Sequence, residues 1–223
     1  MSIGFLHVGK TGGTAIRDVL NNHAEGKVSH HGHGKTLKTI WKYHPNKKMV
    51  FGYRDPVSRF VSGFNSRKRK GQPRYNIEWT PAERVAFEYF EDPVDLAEAL
   101  SSGVRSVRSL AELSMFSIQH VKKSLLEYLG DGGFLLQSKE KILLPYNVKT
   151  LDADFEFLKK AIGLHEDVCL SKDVGVAHRS PAWMNKEMSE LGKRNLEVWY
   201  KEDYSVISSL EKIREEKGLA NAL

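Results

Sequence analysis

The sequence predicts an α/β fold, a P-loop-like three-layer α/β/α domain with a central parallel sheet. Two units of strand, loop and helix predict it. In the first, the apolar residues 3–8 precede the glycine-rich GKTGGT and the helical pattern of AIRDVLNNH. In the second, KMVFGYR at 48–54 precedes a helix start in which Asp55 is the N-cap and Pro56 lies in the first turn. Repeated units of this kind favour parallel strands with helices on both faces.

The rest of the chain continues this pattern. Residues 80–129 are predicted to be mainly helical, because Thr80-Pro81-Ala82-Glu83 forms a capping box and Asp92-Pro93 a second helix start. Apolar runs within 134–150 predict one or two strands. A helix over 152–164, closed by Gly163, and two amphipathic helices over 185–217 complete the prediction.

Length and composition restrict the function. A chain of 223 residues with 40% hydrophobic content predicts a single domain over 1–223. The net charge of +6 favours anionic ligands, at a density below that of dedicated nucleic-acid binders. One cysteine, Cys169, indicates a reducing compartment, and neither a signal peptide nor a membrane span is apparent. We therefore expect a cytoplasmic protein.

The glycine-rich segment allows two alignments. Gly4 to Thr11 matches the phosphate-loop pattern G-x-x-x-x-G-K-[ST], which would indicate a P-loop ATP-dependent kinase. The residues FLHV inside that match are typical of a buried strand, so the better loop runs from Gly9 to Thr14 and enters a helix directly. Backbone N–H groups and the dipole at a helix start attract anions. The predicted phosphate ligands are Lys10, Thr11, Gly12, Gly13, Thr14 and Ala15.

A second phosphate site is predicted at the end of the next strand. Arg54 ends that strand, and Ser58 and Ser62 follow on the helix. Ligands of α/β sheets bind at the carboxyl ends of strands, and a guanidinium with a nearby hydroxyl suits a phosphate.

These two motifs together resemble those of the sulfotransferases that use 3′-phosphoadenosine 5′-phosphosulfate (PAPS). GKTGGT resembles that family's 5′-phosphosulfate loop, and RDPVSRFVSGF resembles its 3′-phosphate motif, in which an Arg and a Ser eight residues later hold the phosphate. Arg54 and Ser62 have that spacing. Gly9 is a departure, because the family more often has proline there. GVAHRSPAWM at 175–184 resembles the loop that completes the nucleotide pocket, which implies Arg179 as a further ligand.

Between the two motifs lies the histidine-rich SHHGHGKTL, residues 29–37. In an extended segment His31 and His33 lie on one face. The His-Gly-His pattern resembles the histidine pair of the 2-O-sulfotransferases of heparan and related uronic-acid polysaccharides. This resemblance implies His31 as catalytic base and His33 as a substrate-positioning or supporting residue, with a carbohydrate hydroxyl as acceptor. Sulfuryl transfer also needs a cation on the leaving phosphate, and Lys10 is the predicted one. A solvated loop and a metal site are the alternatives; the missing third ligand argues against metal, and none is expected.

A non-catalytic alternative rests on SRKRKGQPR at 66–74, predicted to be an exposed basic loop. A nucleic-acid-binding module would use that loop, would bind with strong salt dependence, and would be indifferent to changes at Lys10 or His31. The two phosphate motifs favour the sulfotransferase, without nucleic acid as a partner.

Overall fold

A computed structural model describes residues 2–171 and 184–220. The chain divides into two compact units, and each is discontinuous in sequence. Unit 1 comprises Met1–Arg54, Leu125–Ala177 and Glu202–Leu223; unit 2 comprises Asp55–Ser124 and His178–Lys201. The assignment of residues 1–223 to one domain stays a prediction.

Unit 1 contains a four-stranded, all-parallel sheet. The strands are β1 Ile3–Leu6, β2 Val28–His31, β3 Lys48–Tyr53 and β4 Ile142–Asn147. Their order is β2-β1-β3-β4, and Leu6 lies opposite both His31 and Phe51. The predicted α/β class and parallel sheet are confirmed. Residues 134–150 contribute one strand, and β2 occupies the start of the histidine-rich segment.

Helices account for most of the remaining regular structure. In chain order they are α1 Gly13–His23, α2 Leu37–Tyr43, α3 Pro56–Lys68, α4 Pro81–Tyr89, α5 Pro93–Ala99, α6 Arg105–Ser117, α7 Leu125–Leu129, α8 Gly132–Gln137, α9 Leu151–Ile162, α10 Glu190–Trp199 and α11 Lys201–Glu216. The predicted helical middle, the helix closed by Gly163 in the left-handed conformation and the two final helices are confirmed.

The sheet of unit 1 is covered on both faces, because successive strand residues point to opposite sides. Phe5 packs into an apolar cluster with α1 and α9, whereas Leu6 packs into a second cluster with α2, α7, α8 and α11. Both strand residues are fully buried. Unit 1 by itself is therefore a three-layer α/β/α arrangement.

Unit 2 is built from helices with well-defined starts. Asp55 caps α3, Thr80 and Glu83 form the capping box of α4, and Asp92 caps α5. Each cap satisfies backbone N–H groups that the first helical turn leaves without a partner. These three starts were predicted from the sequence and are confirmed.

The basic run at 66–74, in unit 2, is not wholly the exposed loop that the sequence predicts. Residues 66–68 belong to the last turn of α3 rather than to an exposed loop, and Arg67 is 3% exposed. The Arg67 guanidinium donates to both carboxylate oxygens of Glu83, at 2.8 and 2.7 Å. Lys68 donates to the Phe87 carbonyl oxygen, and Lys70 pairs with Glu78. The physical reason is that buried guanidinium groups require paired acceptors, which α4 and the segment before it supply.

Candidate functional site

The loop between β1 and α1 lies at the point where the strand order reverses. From β1 the chain moves outward to β2, then crosses back to β3 on the other side of β1. In open α/β sheets ligands bind beside this switch point, at the carboxyl ends of the strands. The predicted phosphate loop, Gly9 to Thr14, follows β1 at this edge of unit 1.

The loop backbone is shaped for a tight entry into α1. Lys10 has φ 68° and Gly12 has φ 77°, both in the left-handed region, and Gly12 is the N-cap of α1. The first turn of α1 starts with Gly13, Thr14 and Ala15, with no acidic side chain. The Ala15 N–H donates to the Gly12 carbonyl oxygen at 3.2 Å. The first N–H groups of a helix have no partner within the ideal helix, so this turn attracts an anion. The role of Lys10, Thr11, Gly12, Gly13, Thr14 and Ala15 as phosphate ligands stays a prediction.

The loop rests on β3 at Gly52, a position where only glycine fits. Thr11 is fully buried and donates from Oγ1 to the Val8 carbonyl oxygen at 2.9 Å. A Cβ added at Gly52 of β3 would lie 2.6 Å from Thr11 Oγ1 and would overlap the Tyr146 ring. Tyr146 is itself fully buried, and burial raises the pKa of its hydroxyl. Because Gly52 has no side chain, β3 can lie directly against Thr11 and support the loop.

A second contact of the loop, between Gly12 and Leu151, lies close to a buried ion pair. Gly12 faces Leu151, with 3.3 Å from an added Cβ to the Leu151 Cδ2. Leu151 begins α9, in which Asp154 accepts from both terminal nitrogens of Arg214 at 2.9 Å. Arg214 also donates to the Pro145 carbonyl oxygen at 2.7 Å. A residue in the last helix therefore positions the β4–α9 connection. Sequence reasoning missed this role, because an Arg among charged helical residues carries no signal of burial.

Two histidines lie beside the phosphate loop, and we call them the loop pair: His7 and His33. The His7 N–H donates to the His31 carbonyl oxygen at 2.8 Å, and its ring packs directly on Gly13. The ring centroids of His7 and His33 are 4.3 Å apart. Burial, followed by the charges of His33, Arg17 and Lys10, lowers the pKa of His7 to about 3. His7 is therefore a neutral imidazole next to the loop at neutral pH.

His31 belongs to a different group, the edge cluster, formed by Ser29, His31, His44 and Lys47. Lys47 is 9% exposed and donates from Nζ to Ser29 Oγ at 2.8 Å. Ser29 Oγ lies 3.3 Å from His31 Nε2. Burial first, then the charges of Lys47, His44, Lys35 and His30, lowers the pKa of His31. Two lysines, Lys47 and Lys35, thus make the surroundings of His31 at the outer strand of the sheet positively charged.

The hydrogen bonds of Ser29 assign the tautomer of His31. The single hydroxyl proton of Ser29 is donated to the Ile3 carbonyl oxygen at 3.2 Å, while Lys47 donates to the same hydroxyl oxygen. The remaining bond, to His31 Nε2, then requires His31 to be the donor. The neutral ring carries its proton on Nε2, which leaves Nδ1 as the proton acceptor.

The predicted common face of His31 and His33 is wrong. β2 ends at His31, so the alternation of strand side chains does not extend to His33, which lies in the turn that follows. The His33 ring contacts His7 beside the loop, whereas the His31 ring contacts the Ser29 hydroxyl. The placement of His7 against Gly13 was missed; its position directly after a strand that leads into a glycine loop was the available signal.

The other predicted ligands lie in separate parts of the chain. Arg54 follows β3 at the end of unit 1 and is half-buried, and Ser62 lies on α3 of unit 2. Arg179 lies outside the described residues. Gly4, the first residue of the alternative phosphate-loop alignment, lies within β1. That alignment is wrong, because its first three residues, Gly4 to Leu6, belong to the buried strand β1.

Comparison of the chain with protein-family models, with curated proteins and with solved structures finds no match. Among the described residues, no group of three or more His, Cys, Asp or Glu side chains is arranged to hold a metal ion. None of the helices in residues 2–171 and 184–220 is long and apolar enough to cross a membrane. The residues of the loop and its surroundings are therefore the basis for assigning a function.

Proposed function

We propose that the protein is a sulfotransferase that moves the sulfuryl group of PAPS to a hydroxyl acceptor, with carbohydrate hydroxyls as the acceptor class. The observation that carries the proposal is the β1–α1 loop: an uncapped glycine entry to a helix, at the switch point of a parallel sheet, with Lys10 next to it. This loop binds the 5′-phosphosulfate. The proposal includes a P-loop-like relationship of the fold and a reducing, cytoplasmic location, since the chain has one cysteine.

In this proposal each group has one task. Lys10 and the N–H groups of the first turn of α1 stabilise the charge that develops on the leaving phosphate. The motif that starts at Arg54 supplies the ligands of the 3′-phosphate, Arg54 and Ser62. Arg179 completes the nucleotide pocket, and the transfer needs no metal.

The acceptor oxygen forms a bond to sulfur as the bond between sulfur and the phosphate oxygen breaks. The acceptor's proton passes to a neutral imidazole. His31 is the base that the resemblance implies, with Nδ1 as its proton acceptor; because its ring lies in the edge cluster, the acceptor would extend from the loop to that cluster. His33, whose ring packs on His7 beside the loop, is the supporting residue. A lowered pKa keeps His31 neutral and ready to accept a proton, at the cost of basicity.

Two alternatives lose support. The kinase alternative depended on a loop that starts at Gly4, and Gly4 lies in β1. The nucleic-acid alternative depended on free cations at 66–74, and Arg67, Lys68 and Lys70 hold intrachain partners in unit 2.

Calorimetric titration tests the proposal. We expect adenosine 3′,5′-bisphosphate, the desulfated product, to bind at least tenfold more tightly than adenosine 5′-phosphate or ATP with magnesium. Arg54→Ala should remove that preference, whereas Arg108→Ala, an exposed arginine on α6, should keep it. His31→Ala should abolish turnover and leave binding of the bisphosphate unchanged. A preference for ATP with magnesium would overturn the proposal.

A further inference from the structure

The edge cluster contains Lys47, a lysine that is 9% exposed and has no acidic partner among the described residues. Lys47 precedes β3, and its side chain crosses over Gly4 of β1, where an added Cβ would lie 2.9 Å from Lys47 Cδ. Among the described residues, the Lys47 ammonium makes one hydrogen bond, which it donates to the neutral hydroxyl of Ser29. No described carboxylate lies within ion-pair distance of Lys47. Buried charges are normally paired, so this ammonium is the unusual feature of the cluster.

Lys35 adds a second positive charge near the cluster. The groups whose charges act on His31 are Lys47, His44, Lys35 and His30, and none of them is acidic. Ser29 and His44 are exposed and His31 is half-buried, so the cluster is open to solvent. An ammonium has three N–H donors, and Ser29 accepts from one of them. Two donors of Lys47 remain for a ligand.

We propose that the edge cluster is a second anion site, which binds one small tetrahedral oxyanion group, a sulfate or a phosphate, through the Lys47 ammonium held in place by Ser29, with His31 and His44 beside it. The charge of the oxyanion compensates Lys47, and two oxygens of a tetrahedral group can accept from the two remaining ammonium donors. This goes beyond the proposed sulfuryl transfer. It shares His31 with that proposal but does not depend on it, because Lys47 and Ser29, which hold the anion, have no task in the transfer.

Two neighbouring lysines provide a matched test. Lys47→Met removes the buried ammonium and keeps a similar side-chain length. Lys42→Met changes an exposed lysine five positions earlier, whose ammonium lies 5.7 Å from the centre of the Tyr43 ring. Since Lys47 is buried, Ser29→Ala serves as a second variant, which leaves the ammonium in place without its holding hydroxyl.

The full chain is titrated with sodium sulfate or sodium phosphate at constant ionic strength. NMR of the histidine ring resonances monitors the binding. We expect saturable shifts of His31 and His44, at least tenfold weaker with acetate or chloride. Lys47→Met should weaken the affinity for sulfate at least tenfold, Ser29→Ala at least threefold, and Lys42→Met less than twofold.

The phosphate loop also attracts sulfate, so the two sites must be separated. Shifts of His7 and His33 report the loop, and Lys10→Met should reduce those shifts while those of His31 persist. Sulfate shifts confined to His7 and His33 would overturn the second site, as would shifts of His31 that follow ionic strength alone with every salt. Failure of adenosine 3′,5′-bisphosphate to bind would overturn the sulfotransferase proposal and leave this inference standing.

Discussion

The loop pair and the edge cluster are two histidine groups at the ends of adjacent strands, and they differ in burial and in what the rings contact. His7 packs on Gly13 and is neutral because burial excludes water from its ring. His31 contacts the Ser29 hydroxyl, within a set of cations. The difference teaches that the point where each strand ends, rather than spacing in the sequence, decides which group each histidine ring contacts. Four single substitutions separate the two groups.

The largest effect on the free energy of unfolding is expected at Gly52, where the loop rests on β3. Gly52→Ala places a Cβ 2.6 Å from Thr11 Oγ1 and into the Tyr146 ring. Both neighbours are buried and cannot move aside, so we expect a loss of about 3 kcal/mol in the free energy of unfolding. Urea denaturation measures it. Gly34→Ala, with nothing within 4 Å of an added Cβ, is the control and should change stability by less than about 0.5 kcal/mol. Equal effects of the two substitutions would contradict the proposed support of the loop.

The next effect is the acid sensitivity caused by His7. The pKa of His7 is about 3 in the folded protein, against 6.5 for an exposed histidine in the unfolded chain. Between these values the unfolded chain binds a proton that the folded protein does not, so stability falls as the pH falls. From pH 7 to pH 5 the loss amounts to about 2 kcal/mol.

Urea denaturation at both pH values checks this sensitivity. His7→Gln should remove most of the pH dependence, whereas His23→Gln, an exposed histidine at the end of α1, should retain it. An unchanged pH dependence in His7→Gln would show that another group is responsible.

A smaller effect is expected at the edge cluster. In Gly4→Ala the added Cβ would lie 2.8 Å from Met49 Sδ, 2.9 Å from Lys47 Cδ and 3.1 Å from His31 Nε2. These are side-chain atoms, and the Met49 and Lys47 chains can shift, so the cost should be about 1 kcal/mol. The NMR resonances of His31 should move and those of His7 should not. A larger response at His7 would mean that the two groups are not separate.

The smallest effect on stability is expected from Ser29→Ala. A partly exposed hydrogen bond contributes about 0.5 kcal/mol, so the free energy of unfolding should change little. The tautomer of His31 should change more, because the Nε2 proton loses its acceptor. Nitrogen-15 chemical shifts of the ring measure this. A His31 ring that stays protonated on Nε2 alone in the variant would contradict the tautomer assigned through Ser29.

Local signals were sufficient for most of the fold. Asp55, Thr80 and Asp92 cap helices where the sequence predicts, because a cap depends only on residues within one turn. Gly163 ends α9 for the same reason. The glycine loop was also predictable, since a strand, a glycine run and a helix are consecutive in the chain.

The parts that sequence reasoning missed depend on contacts between distant segments. Gly52 supports Thr11 from the neighbouring strand, and Arg214 reaches Asp154 from the last helix. The separation of His31 from His33 depends on where β2 ends, which is decided by its pairing with β1. Burial of Arg67 depends on Glu83, and a run of cations alone predicts exposure.

The discontinuity of unit 1 has a consequence for the protein during its synthesis. β3 pairs with β4 across the whole first segment of unit 2, and Arg214 contacts a carbonyl 69 residues earlier. A ribosome releases Asp55–Ser124 before it has made β4 or α11, so the helices α3 to α6 emerge while the sheet still lacks an edge strand. Strand pairing between such distant segments is slow, because a long chain loop must close first. The newborn chain therefore exposes the open edge of β3 until β4 has been translated, and an unpaired strand edge is prone to aggregation during this interval.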